Sequence, residues 1–170
     1  MIDINRLMWF VVHVRNRHEF TVRDKLAKTG VDVFLATVER LQRWKDRKKM
    51  INFPLFPGYL FVNIHKTNEE ILSVLKTYGV IKFLSMTIGE PEPVPEDQVM
   101  SLKKLVESKA SIDPYPYFKE GQSVRIKKGP LSGVEGIIEK KKGYHILILS
   151  IDILQQGVSI KIDASDVEFI

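Results

Sequence analysis

Past about residue 108 the sequence changes its period, and that change limits the possible folds more than any bulk property does. Before it, segments of helical and strand spacing alternate; after it only short strand-like runs remain. The stretch 109–117 (KASIDPYPY) carries two prolines and no periodicity, and it reads as a linker. The expected organisation is an N-terminal domain over 1–108, a linker over 109–117 and a C-terminal domain over 118–170.

In the first part, Trp9 to Val14 (WFVVHV) predicts a buried strand and His18 to Thr29 a helix, closed by Gly30. Residues 33–44 favour a strand, and WKDRKK (44–49) a polar hairpin tip. Pro54-Leu55-Phe56-Pro57-Gly58 belongs at a sheet edge or bulge, because proline donates nothing to a ladder. Tyr59 to Ile64 (YLFVNI) resumes as a strand. Thr67 and Glu70 have capping-box spacing and open a helix with Ile71, Leu72, Val74, Leu75 and Tyr78 on one face, ended by Gly79. Val80 to Met86 predicts a strand, and Pro95 starts a third helix through about Ser108. This β-α-β-β-α-β-α order predicts an α+β sandwich with an antiparallel-rich sheet. The second part predicts five strands, over 123–127, 134–139, 145–151, 158–162 and 167–170, in a small closed β-barrel that hides its edges.

The chemistry the chain can carry is narrow. With no cysteine there is no disulfide, thiolate zinc site, iron–sulfur cluster or catalytic thiol. His13, His18, His65 and His145 stand apart, and no HExxH, GxSxG, P-loop or GxGxxG string is present. The acidic group Glu90, Glu92, Glu96 and Asp97 sits beside a helix start, where carboxylates stabilise the helix dipole. No enzyme, metal or cofactor is expected. No apolar run approaches the ~20 residues of a membrane span, and residues 1–8 lack a secretory signal's apolar run. A soluble, cytoplasmic, monomeric protein is expected. The net charge is +5. Residues 1–108 hold 17 Lys+Arg against 13 Asp+Glu, and residues 109–170 hold 9 against 8. Arg40, Arg43, Lys45, Arg47, Lys48 and Lys49 face only Asp46, and Lys140 to Lys142 form a second basic run, so an anionic partner is indicated.

The string PLFPGYLFVNI, Pro54 to Ile64, is the sharpest signal. Its prolines fix the backbone, Gly58 permits an unusual dihedral, and Tyr59 and Phe61 fall on one face of the following strand. From periodicity alone it fits equally an edge strand filling its own core and an aromatic wall offered to a partner's helix. PLFPGYLFV, preceded by WFVVHV and followed by a helix and VIKFLS, resembles the N-terminal domain of the NusG family of transcription elongation factors. GQSVRI (121–126) and then KGPLSGVEGI (128–137) resemble the KOW motif opening that family's C-terminal barrel.

The resemblance implies a NusG-type α/β sandwich followed by an SH3-like KOW barrel. It implies an apolar depression of Phe56, Tyr59, Phe61 and Phe83, supported by Trp9, docking on the clamp helices of the RNA polymerase β′ subunit. It places Lys45, Arg47, Lys48 and Lys49 near upstream DNA, and Arg15, Arg17 and His18 facing the non-template strand. The loop of Gly129, Pro130 and Leu131 would bind a ribosomal protein or a termination factor, although housekeeping members carry more aromatic character there. The ending LSIDILQQGVSIKIDASDVEFI resembles specialised paralogues of the UpxY and LoaP kind, antiterminators of particular long operons. Unlike RfaH, whose C-terminal domain refolds, this barrel is expected to be constitutive. At this level a housekeeping NusG-type factor, a KOW-containing RNA-binding protein of translation and a DNA-binding repressor stay open.

Overall fold

A computed structural model describes residues 3–108 and 110–170; Lys109, expected in the linker, lies outside them. The chain forms two compact units, one ending at Val94 and the other beginning at Pro95.

The first unit runs β1 (Leu7–Val14), α1 (Glu19–Lys28), β2 (Asp32–Phe34), β3 (Thr37–Arg43), β4 (Lys48–Pro54), β5 (Tyr59–His65), α2 (Asn68–Leu75) and β6 (Val80–Phe83). Four strands make an antiparallel sheet in the order β2-β5-β1-β6, while β3 and β4 form a separate two-stranded ribbon. The stretch expected as one strand over 33–44 is thus split between two sheets. The central strand β1 is buried on both faces, which is why WFVVHV reads as a continuous apolar run. Its Phe10, Val12 and Val14 join Leu60, Val62 and Ile64 of β5 in a core with Val22 and Leu26 of α1 and Val74 of α2. Each such side chain contributes about 1.5–3 kcal/mol on burial.

Local chemistry sets the helix starts. Thr67 Oγ1 accepts from the Glu70 N–H at 3.2 Å, as the capping box predicts. The Glu70 carboxylate does not reach back to Thr67; it accepts from the backbone and ring nitrogens of His65, each at 2.8 Å. Burial alone would raise the Glu70 carboxyl, but the bonds from His65 outweigh it and hold the group below its ordinary range.

The second unit comprises α3 (Glu96–Glu107), β7 (Ile112–Pro116), β8 (Gln122–Ile126), β9 (Glu135–Lys141), β10 (Tyr144–Ile151), β11 (Gln156–Ile162) and β12 (Val167–Phe169). Its strands form one antiparallel sheet in the order β12-β8-β9-β10-β11-β7. The five expected strands are all present, with a sixth, β7, taken from the segment expected to be a linker. The two prolines that suggested a tether mark an end strand: Pro114 stands opposite Val158 and Pro116 opposite Gln156, where the missing N–H groups cost least.

Helix α3, expected in the N-terminal domain, belongs to this second unit, packed on β10. Gln98, only 9% exposed, donates from Nε2 to Asp152 Oδ2 at 2.9 Å, and Lys104 Nζ donates to the Ser132 carbonyl at 2.9 Å. Asp152 also accepts from the Tyr117 hydroxyl at 2.8 Å and pairs with Lys119 at 3.2 Å. Burial would raise the Asp152 carboxyl, but donors from Gln98, Tyr117 and Lys119 outweigh it and keep the group ionised below its usual range. Among the described residues no helix is long and apolar enough to cross a membrane.

Candidate functional site

The turn before β5 is built from its sequence upward. Gly58 adopts φ +86°, a left-handed conformation that an L side chain takes at a cost of about 1–2 kcal/mol. Its N–H donates to Glu19 Oε1 at 2.9 Å, and its carbonyl accepts from the Val14 N–H at 2.8 Å. Glu19 is 5% exposed and opens α1, so one buried carboxylate ties the helix to the turn. Glu19→Ala leaves the Gly58 N–H buried without an acceptor and is expected to cost about 2 kcal/mol, with Glu19→Gln recovering most of it. Urea unfolding of both variants checks this; equal midpoints for the alanine variant and the parent chain would refute it.

The register decides what the turn presents. Tyr59 pairs with His13, Phe61 with Val11 and Asn63 with Trp9, so Tyr59, Phe61 and Trp9 share the sheet face opposite the helix-packed core. Tyr59 is half-buried and stacks on the His13 ring with centroids 5.0 Å apart. Phe61 stacks on Phe34 at 5.6 Å. Trp9, Phe56 and Phe61 are buried, at 3%, 2% and 1% exposure. Phe83 is not with them: it stands opposite Val12, on the core face, edge-on to Phe10 at 6.0 Å. One wall therefore cannot contain both Phe61 and Phe83.

The basic tip is a true hairpin end. β3 and β4 pair without interruption from Thr37 opposite Pro54 to Arg43 opposite Lys48, and the Trp44 N–H donates to the Arg47 carbonyl at 2.8 Å. Lys45, Arg47, Lys48 and Lys49 are all exposed. Trp44, where the expected strand over 33–44 and the expected hairpin tip over 44–49 overlap, sits in the turn with the Arg47 guanidinium 4.9 Å over its ring. Leu41 and Met50, opposite each other, are also exposed, so the ribbon is apolar as well as basic.

Arg15, Arg17 and His18 lie together after β1. Arg17 holds φ +65°, an uncommon conformation for a side chain of its size. Arg15 Nη1 donates to the Tyr78 hydroxyl at 3.4 Å, its guanidinium stands 5.1 Å over the Tyr78 ring, and Lys25 Nζ lies 4.8 Å from the same ring. His18 meets Tyr78 edge-on at 5.9 Å. Tyr78, read as part of the apolar face of a helix, falls beyond the end of α2 and is 61% exposed.

In the second unit, Gly129, Pro130 and Leu131 form the β8–β9 loop. Gly129 and Pro130 are exposed, and Leu131 is half-buried. The loop is closed by Ser132 N–H to the Gly129 carbonyl at 3.1 Å and Gly133 N–H to the Ile126 carbonyl at 2.9 Å. Among the described residues no group of His, Cys, Asp or Glu could hold a metal ion.

The family model described as NusG, transcription termination factor nusG, matches residues 7–103. The chain belongs to the NusG family. Its similarity extends past the matched region: it is 28% identical to the transcription termination/antitermination protein NusG of Borreliella burgdorferi over 94% of this chain and 97% of that protein. It is 28% identical to the protein of the same name from Chlamydia trachomatis, over 78% of this chain and 77% of that one. A solved structure described as the domain interaction in Thermotoga maritima NusG shares the fold, with a TM-score of 0.54 at 24% identity, covering 99% of both chains. This is a NusG-type transcription factor.

Three residues that join these clusters in this NusG-family chain escape sequence reasoning. Glu19 is an ordinary first-turn acid until the fold brings Gly58 to it, 39 positions away. Lys25, in α1, and Tyr78, beyond the end of α2, meet only in the fold. Charge follows the first unit: residues 1–94 hold 15 Lys+Arg against 10 Asp+Glu, while residues 95–170 hold 11 of each.

Proposed function

We propose that this NusG-type factor binds RNA polymerase through the sheet face around Tyr59, on the clamp helices of the β′ subunit, and promotes processive transcription of particular operons as a specialised antiterminator. The observation that carries the reading is the turn locked by Glu19 on Gly58, which presents the stacked Tyr59–His13 pair beside a buried base of Trp9, Phe56 and Phe61. Phe83, on the opposite sheet face, acts there as core. Nucleic acid is engaged by two basic places in the same unit: the hairpin tip of Lys45, Arg47, Lys48 and Lys49 towards upstream DNA, and Arg15, Arg17 and His18, with Lys25 and Tyr78, towards the non-template strand. Flexible cations attract phosphate without reading sequence, and exposed Trp44 and Tyr78 supply surfaces for unpaired bases. The loop of Gly129, Pro130 and Leu131 is the site for a ribosomal protein or termination factor. The protein works in the cytoplasm, as a monomer, and by binding rather than by catalysis.

The test is a reconstituted elongation assay with the native polymerase on DNA surrounding the gene. Longer transcripts past a pause or terminator are expected with the protein present, and Tyr59→Ala is expected to weaken polymerase binding about 30-fold, the effect of losing one interface anchor worth about 2 kcal/mol. Equal run-through with and without the protein, or full binding by the Tyr59 variant, would sink the reading.

A further inference from the structure

The β9–β10 hairpin turns over two residues, Lys142 and Gly143, and Gly143 takes the φ of +86° that so tight a connection needs. Its last pair is Lys141 opposite Tyr144, and the next is Lys140 opposite His145. Side chains alternate along a strand, so the lysine run is divided: Lys141 shares a face with Tyr144, Lys140 takes the other face, and Lys142 stands at the tip. Lys141 is tied down, because its Nζ donates to the Tyr115 hydroxyl at 3.0 Å and pairs with Glu139 at 3.2 Å, while the Tyr115 hydroxyl donates to Glu139 at 2.8 Å. That arrangement occupies the carboxylate nearest the turn, and the hairpin's other one, Glu135, pairs with Arg125 at 2.7 Å. Lys140, Lys142 and Lys161 make no ion pair among the described residues. Lys161, on β11, instead sets its ammonium 4.7 Å from the centre of the Tyr144 ring, which is 44% exposed.

An exposed ring with the unpaired Lys161 ammonium over it, and Lys142 at the adjoining tip, suits a ligand carrying flat unpaired bases and phosphates together. Duplex phosphates would use the cations but leave the ring idle. Because the second unit has no net charge, any attraction to an anion here is local to this tip. We propose that the β9–β10 tip, Tyr144 with Lys142 and Lys161, is a docking site for single-stranded polynucleotide, with one base stacked on Tyr144. The site is separate from the polymerase and DNA contacts assigned to the first unit.

Photo-crosslinking of the full chain, without polymerase, tests it. One arm uses oligouridylate carrying 4-thiouridine, the other the matching thymidylate carrying 4-thiothymidine, and mass spectrometry maps the crosslinked peptide. Crosslinks within 140–145 are expected in at least one arm, and the arm that gives them identifies RNA or DNA as the ligand. Tyr144→Leu is expected to remove them and to reduce occupancy of this site about tenfold, the lower range for one stacked base, while Tyr144→Phe retains them. Variants neutralised at Lys45, Arg47, Lys48 and Lys49 should leave these crosslinks in place. Crosslinks confined to residues before 95, or an unchanged pattern in Tyr144→Leu, overturn the proposal without touching the polymerase reading.

Discussion

Gly136→Ala is expected to destabilise the second unit by about 3 kcal/mol, the upper part of the usual cost of forcing extra volume into a packed site. Gly136 lies in β9 opposite Val124 of β8. A Cβ there would stand 2.5 Å from the Ile148 carbonyl oxygen and 3.0 Å from Leu147 Cδ2. The first of these is backbone in the neighbouring strand β10, so no side-chain rotation can relieve it; the ladder itself must shift. For a unit of roughly 60–100 residues this corresponds to a fall in Tm of about 10–20 °C. Hydrogen exchange on the whole chain locates the effect: amides of β9 and β10 should lose protection while those of β1 and β5 keep it. A Tm within about 2 °C of the parent chain would show that the ladder absorbs the methyl group. The glycine of the KOW motif is thus explained by strand packing, without any partner, whereas the exposed Gly129 of the same motif has open space around its missing Cβ.

The motif strings were legible because they are local. WFVVHV and YLFVNI are strands for the reason their composition suggests, the strand expected over Val80 to Met86 forms but ends at Phe83, and Thr67 caps α2 as its spacing requires. What was not legible depends on registers and on distant partners. Phe83 looks like part of the aromatic set until pairing with Val12 assigns it to the helix-packed face, since a one-residue difference in register exchanges faces. Pro114 and Pro116 look like a tether because proline interrupts ladders, yet an end strand accepts it; only the position of β7 in the sheet separates the two readings. The helix after Pro95 was predicted correctly as a helix, but its unit is set by Gln98 meeting Asp152, 54 positions along the chain. The basic clusters were visible as charge, while the rings that meet cations, Tyr78 for Arg15 and Lys25 and Tyr144 for Lys161, were not, because cation–ring pairs are made between elements.

Phe61→Ala should cost about 3–5 kcal/mol, the range for deleting a buried aromatic side chain. The ring is 1% exposed, stacked on Phe34, and held opposite Val11 of the central strand. Against a typical total of about 5–15 kcal/mol, that loss leaves the first unit marginal. Tyr59 lies two residues earlier on the same face but is only half-buried, so Tyr59→Ala should cost about 1 kcal/mol while removing the exposed part of the same aromatic surface. The pair therefore separates support from contact. Urea unfolding should show a large shift for Phe61→Ala and a small one for Tyr59→Ala; polymerase binding, measured where both remain folded, should reverse that order. A stability loss below about 1 kcal/mol for Phe61→Ala, with polymerase binding abolished, would instead make Phe61 a contact and its burial something the complex undoes. The distinction matters because either variant would fail a simple pull-down at elevated temperature, one through lost contact and the other through unfolding.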